Sequence, residues 1–186
     1  MALIILAHPN YEKSTSNKTI IEALEKSSLD IKIRNLAALY PDYKIDVKAE
    51  QEALLRHENI IFQYPFYWYN MPAILKLWFD VVFEYQFAYG SKGDKLKDKN
   101  FIASFTVGAP EKEYNTLGEH HFRVMEFCKN LEQTAYYAKM HFINPVYSFG
   151  NSLNAGMAPE EVKQNAGFHA KKLIEVVKRL EAPLVS

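Results

Sequence analysis

The chain has 186 residues, 48% of them hydrophobic and 24% charged, with 22 Lys and Arg balanced by 22 Asp and Glu. That length and balance suit a single soluble domain over residues 1–186, and zero net charge argues against nucleic acid as a partner, because phosphate binding demands a basic face. Cys128 is the lone cysteine, so no intrachain disulfide or cysteine-spaced metal site is expected. The apolar start, Met1–Ala7, is too short to span a membrane and lacks the basic opening of a signal peptide, which leaves the cytoplasm as the expected compartment.

In chain order, Leu3–Leu6 reads as a buried strand and Ile20, Ile21 and Leu24 open the first helix. Ile31–Ile33 is a second strand, Ala49, Ala53 and Leu54 mark a second helix, and Ile60–Phe62 is a third strand. Ile74–Phe83 is apolar nearly all round and predicts a deeply buried helix. Phe101–Thr106 is the fourth strand, Phe122, Met125 and Leu131 suggest a fourth helix, and a weaker strand lies around His141–Val146. Val162, Ala166, Leu173, Val177 and Leu180 recur at helical steps behind Pro159, Glu160 and Glu161, so a long final helix is expected.

Strand and helix alternating five times predict a five-stranded parallel sheet covered on both faces, a three-layer α/β/α sandwich. Five strands favour the flavodoxin-like order over the six-stranded dinucleotide fold. A ligand in such a fold sits beyond the carboxyl ends of the strands, beside strand one. The loops at that end hold the unusual residues. After strand one, Ser14, Thr15, Ser16 and Asn17 stand at a helix start, where they cap the helix or hold a phosphate. Neither G-x-G-x-x-G nor G-x-x-x-x-G-K-[ST] occurs, which points to the monophosphate of a flavin. After strand three, Pro65, Phe66, Tyr67, Trp68 and Tyr69 run up to Pro72. The two prolines force a turn, and its aromatics suit a wall against a flat ring, a dimer interface or a lid. After strand four, small residues in Thr106-Val107-Gly108-Ala109 allow close approach of backbone to a ligand. Tyr114 and His120-His121 follow as candidate hydrogen-bond donors.

Taken in order, Ala7-His8-Pro9, Ser14-x-Ser16-Asn17-Lys18, Leu39-Tyr40-Pro41-Asp42 with Glu50-Gln51-Glu52-Ala53-Leu54, Gln63-Tyr64-Pro65-x-x-Trp68-Tyr69-x-x-Pro72-x-x-Leu75-Lys76-x-Trp78 and Phe87-Ala88-Tyr89-Gly90 carry a resemblance. The chain resembles the NAD(P)H:quinone oxidoreductases from Leu3 to about Gly150. The nearest likeness is to their small bacterial branch, which includes ancillary subunits of glutathione-gated potassium efflux systems.

The resemblance implies two-electron hydride transfer from NAD(P)H to a quinone-like acceptor, in ping-pong order, by a homodimer. It implies a flavin, FMN with FAD as the alternative; FMN is favoured because little chain follows the last helix. His8 and Ser14–Asn17 would hold the flavin phosphate and ribityl chain. Pro65 and Phe66–Tyr69 would line the ring system, and Thr106, Val107, Gly108 and Ala109 would meet its pyrimidine edge. Tyr114 and His120 would be the catalytic pair, with His121 as alternative to His120, while Trp68 and Tyr89 would belong to the nicotinamide and quinone pocket. Where relatives often carry Thr-Thr-Gly-Gly, Val107 lacks a hydroxyl and Ala109 narrows the approach. Two rival functions remain. One is a regulatory subunit docked on a potassium efflux transporter, peripheral to the membrane through that partner. The other is a flavodoxin-type electron carrier, which the neutral charge disfavours.

Overall fold

The computed structural model describes residues 1–182. Five parallel strands, β1 (Ala2–Leu6), β2 (Ile31–Asn35), β3 (Asn59–Pro65), β4 (Asn100–Thr106) and β5 (His141–Ser148), form one sheet in the order β2-β1-β3-β4-β5. Every residue of β1 and β3 is buried, as a central strand covered on both faces requires. Helices α1 (Thr15–Glu25), α2 (Leu36–Leu39), α3 (Val47–Leu55), α4 (Ala73–Val82), α5 (Lys129–Tyr137) and α6 (Pro159–Glu181) supply the covers.

Side chains alternate across the pleat, so each strand feeds two cores. Leu3, Ile5, Ile60, Phe62 and Phe101 pack with Leu54 of α3 and Trp78 of α4. Ile4, Leu6, Ile61 and Ile102 pack on the other face with Ile20 and Leu24 of α1 and Leu173 and Val177 of α6. This is the flavodoxin-like three-layer sandwich that the alternating pattern predicts. β1 has β2 on one side and β3 on the other, so the order reverses there and a crevice opens at the strands' carboxyl ends.

Three details depart from the sequence reading. α4 is not buried all round, since Lys76 and Asp80 lie exposed on its outer strip and pair with each other. Phe122 and Met125 lie outside any α-helix and are 56% and 39% exposed. The core there is met instead by Val124, Cys128, Leu131 and Ala135, through a 3₁₀ turn at Val124–Cys128 that leads into α5. β5 runs on to Ser148 across an irregularity in which Asn144 and Pro145 together face Ala103. An edge strand tolerates this, because Pro145 has no ladder proton to give.

One buried knot ties the layer of α2, α3 and α4 together. The Glu50 carboxylate is fully buried, and Arg34 Nε (2.7 Å) and the Tyr40 hydroxyl (2.5 Å) donate to its Oε1 while Trp78 Nε1 (2.9 Å) donates to Oε2. Each oxygen is satisfied, which is the condition for burying a charge. The Tyr40 phenol, sharing Glu50 in a desolvated site, is pushed up to about 12 and keeps its proton.

Candidate functional site

A cleft of about 420 Å³ opens beyond the ends of β1 and β3, within the range of small-molecule sites. Its floor is the start of α1. Ser14 is the N-cap, and its Oγ accepts the Asn17 N–H at 3.1 Å. The N–H groups of Thr15 and Ser16 have no hydrogen bond to other described residues, so two donors at a positive helix end face the cleft. Asn17 fastens this corner to the sheet. Its Nδ2 donates to Ser14 Oγ and Thr106 Oγ1, both at 3.2 Å, and its Oδ1 accepts from Gln63 Nε2 at 2.9 Å.

His8 adds a directed donor. The Asn10 N–H donates to its Nδ1 at 3.0 Å, which places the ring proton on Nε2. Burial lowers its pKa to about 4, so the ring is neutral at neutral pH.

Pro65, Phe66 and Tyr67 form one wall, with Phe66 stacked on Phe105 at 5.2 Å. Tyr67 and Asn70 exchange backbone hydrogen bonds of 2.9 and 3.0 Å across a tight turn. Trp68 and Tyr69 occupy its tip with φ of 48° and 61°. Bulky residues adopt that conformation at a cost of order 1 kcal/mol or more each, and such strain concentrates at working sites. Trp68 is 92% exposed and stands at the rim rather than in the cleft.

Thr106 and Gly108 reach the cleft, whereas Val107 and Ala109 do not line it. The Val107 side chain is fully buried, its N–H donates to Ser148 O at 2.8 Å and its carbonyl accepts the Asn151 N–H at 3.0 Å. Ala109 O accepts from Gly150 N at 3.1 Å. These bonds stitch the β4 loop to the β5 loop and carry Asn151, Ser152, Leu153 and Asn154 into the cleft, with Val162 of α6 behind them. The sequence reading missed this fourth loop; its only signal was the turn composition of Gly150-Asn151-Ser152 directly after the last strand. A Cβ on Gly108 would lie 3.2 Å from Ser152 Cβ, so the two loops meet where a small residue is needed.

Asn151 Nδ2 donates to Ser148 O, Ser148 Oγ and Phe149 O at 2.8, 2.9 and 3.0 Å. Its buried Oδ1 has no partner among the described residues. An orphaned acceptor in a cleft wall calls for a donor from a ligand.

Tyr114 and His120 come together, their rings stacked at 4.2 Å. Tyr69, a member the sequence reading did not link to them, places its hydroxyl 3.2 Å from His120 Nδ1, and His120 Nε2 is buried without a partner among the described residues. Tyr69 also packs edge-on against Phe66 of the cleft wall at 6.4 Å. Burial raises the Tyr114 pKa above its ordinary value, so its hydroxyl stays protonated. His121 is exposed with a φ of 58° and has no place in this cluster.

Tyr89 lies elsewhere. α4 carries the chain back from the cleft toward the starts of the strands, and Tyr89 packs there against Tyr85 and Tyr137 at 5.8 and 5.5 Å. Within one chain it does not meet the cleft.

His8 and the buried His169 of α6 make stability depend on acid. Burial depresses His169 to about 3 and His8 to about 4 from an ordinary 6.5. Below about pH 6.5 the unfolded chain takes up protons that the folded chain refuses, so stability is full above that pH and falls toward pH 3–4. The slope is up to ~1.4 kcal/mol per pH unit for His169 and less for His8, which is closer to solvent. Urea midpoints at pH 7 and pH 5 should show the loss, and His169→Gln should flatten it. An unchanged slope in that variant would contradict the assignment.

An open helix start, an aromatic wall and a polar fourth loop meet at the switch point of a doubly wound sheet, the place where such folds take their ligands. The chain belongs to the family of the flavodoxin-like fold, whose family model matches residues 1–173. It is 38% identical over 176 residues to the "Uncharacterized NAD(P)H oxidoreductase YrkL" of Bacillus subtilis, covering 95% of this chain and 97% of that one. It is 40% identical over 146 residues to the glutathione-regulated potassium-efflux system ancillary protein KefF of Enterobacter sp. strain 638, covering 78% and 81%. Among solved structures, general stress protein 14 of Treponema denticola, in complex with FMN, superposes with a TM-score of 0.86 at 34% identity, covering 97% and 99%.

Proposed function

We propose that the chain is an FMN-dependent NAD(P)H:quinone oxidoreductase, a single flavin-binding domain over residues 1–186. In this reading NAD(P)H and a quinone-like acceptor use one site in ping-pong order. The observation that carries it is the cleft, in which unpartnered helix-start donors and the orphaned Asn151 Oδ1 match an anionic phosphate and a hydroxylated chain. The FMN-bound relative supports the choice of FMN.

The residues divide the work. Ser14, Thr15, Ser16 and the Nε2–H of His8 hold the phosphate, and Asn151 accepts from a ribityl hydroxyl. Phe66 and Tyr67 flank the ring system, while Thr106 and Gly108 bring backbone to its edge. When bound, FMN supplies the hydride-accepting and hydride-donating chemistry. Tyr114 keeps a proton on its hydroxyl and, with His120, offers hydrogen bonds to charge that develops beside it. Apoprotein titrated with FMN should quench flavin fluorescence with a dissociation constant in the micromolar range or below. No binding of FMN or FAD at micromolar concentration would end the reading.

The acceptor pocket is completed by a second copy of the chain. Trp68, Phe122 and Met125 are exposed, and a groove between α4 and α5 is lined by Met71, Phe79, Phe83 and Leu131. Tyr89, remote from its own cleft, serves the pocket of the partner. Light scattering should give twice the chain mass; a monomer at all concentrations would refute the dimer. The likeness to KefF favours a second reading, in which the protein docks on a potassium efflux transporter. No helix of the described residues is long and apolar enough to cross a membrane, so docking would be protein to protein. Quinone turnover set against co-purification with such a transporter separates the two.

A further inference from the structure

Behind the cleft floor, a line of buried polar side chains runs between the sheet and α6. Gln63 of β3 and Ser104 of β4 are 0% exposed and His169 of α6 is 2% exposed. Ser104 Oγ lies 2.6 Å from Gln63 Oε1 and 2.8 Å from His169 Nε2. On the other side of the ring, His169 Nδ1 lies 3.0 Å from Ser148 Oγ, which Asn151 Nδ2 approaches at 2.9 Å. Gln63 continues the line to Asn17, and Asn17 to Ser14 and Thr106. Ser16 Oγ donates to Asn151 O at 3.2 Å, so the line returns to the start of α1 and closes.

Donor counting gives the line one direction. Gln63 Oε1 can only accept, so Ser104 gives it the hydroxyl proton and must itself accept from His169 Nε2–H. With Nε2 carrying the proton of the neutral ring, Nδ1 is an acceptor, so Ser148 gives it the hydroxyl proton while its Oγ accepts from Asn151. The Ser104 side thus fixes the neutral tautomer, protonated on Nε2 alone, and the Ser148 side accommodates it. Burial lowers the His169 pKa to about 3, which keeps the ring in that neutral state. Around it α6 packs through Ala166, Ala170, Leu173 and Val177, so an apolar residue would suit the helix face better. A fully satisfied polar network in such a place rigidifies what it touches. What it touches is both walls of the cleft.

We propose that His169 is a positioning residue of the cofactor cleft. It sets the direction of this closed line and so holds the Ser14–Asn17 corner and the Asn151 loop at the spacing that a phosphate and its attached chain require. The role presupposes the flavin reading of the cleft. A parent protein that binds no FMN ends that reading, whereas the variants speak to His169 alone.

The test compares FMN dissociation constants of the parent, His169→Leu, His169→Gln and His169→Asn, with urea midpoints measured alongside. A glutamine amide stands where Nε2 does and keeps the arm through Ser104 to Asn17. An asparagine amide stands where Nδ1 does and keeps only the arm to Ser148. His169→Leu should weaken FMN binding about tenfold or more, since it takes a partner from the buried Ser104 hydroxyl and from the half-buried Ser148 hydroxyl. His169→Gln should recover most of that loss and His169→Asn less. If the folded variants all bind FMN as the parent does, with only their midpoints lowered, the role is structural and the proposal is overturned. Should His169→Leu fail to fold, a cycle of Ser104→Ala and His169→Asn decides, because both break the same arm. Ser104→Ala alone should weaken FMN binding, and adding His169→Asn should weaken it no further. Full additivity of the two would overturn the proposal as well.

Discussion

Exchanging Tyr114 for Phe, or His120 for Gln, should slow reduction of the bound flavin by NAD(P)H about 10²-fold while leaving flavin content unchanged. Neither side chain lines the cleft or its helix start; Tyr69, which packs on both His120 and Phe66, links the pair to the cleft wall. The 4.2 Å stack fixes the two rings against each other, and the Tyr69 hydroxyl at 3.2 Å fixes the rotation of the imidazole. Nδ1 is occupied, and the buried Nε2 has no partner among the described residues. Tyr69→Phe removes only the orienting bond, so its effect should be smaller and in the same direction. His121→Gln is the control, because His121 is exposed and outside the stack, and its rate should be that of the parent. Stopped-flow traces in which Tyr114→Phe and His120→Gln both match the parent rate would remove the pair from the chemistry.

Glu50→Ala should cost about 3–5 kcal/mol in urea unfolding, the scale for removing one partner of a buried ion pair. Three donors, Arg34, Tyr40 and Trp78, converge on that carboxylate, and all would lose it at once. Arg34 is the decisive one, since its charge would stay partly buried with nothing opposite. Against a total stability of roughly 5–15 kcal/mol, the loss is a large fraction of what keeps the chain folded. Replacing Arg34 and Glu50 together by Met and Leu should cost much less, because no charge is stranded. A loss under about 1 kcal/mol for Glu50→Ala would show that the knot is dispensable.

β1 and β3 were legible because burial on both faces leaves a continuous apolar run, and α6 because its apolar steps keep a helical period. The ends of β2, β3 and β5 were not. Gln63 at the end of β3 and Ser148 at the end of β5 are polar residues in strand conformation that serve the line behind the cleft, and hydropathy stops short of them, whereas the run Phe101–Thr106 already took in Ser104 and Thr106. The helix start at Ser14–Asn17 and the aromatic turn could be read because their chemistry is local to a few residues. The Asn151 loop could not, since its position follows from backbone bonds to Val107 and Ala109, some forty residues earlier. His169 was hidden as one polar residue on an amphipathic helix. The distance of Tyr89 from its own chain's cleft was not legible, because a marker motif carries no direction, and α4 takes it to the far end of the sheet. Tyr40, Glu50 and Trp78, three of the sequence markers, owe their spacing to the knot they form.

Anaerobic double-mixing stopped-flow on the FMN-loaded protein tests the central claim most directly. The first mix, with NADH or NADPH, should bleach the bound flavin. The second, with a quinone such as menadione, should restore its colour at the cost of one quinone per flavin. A flavin that stays oxidised with both nicotinamides, or that bleaches and is not reoxidised by quinone, would contradict the account.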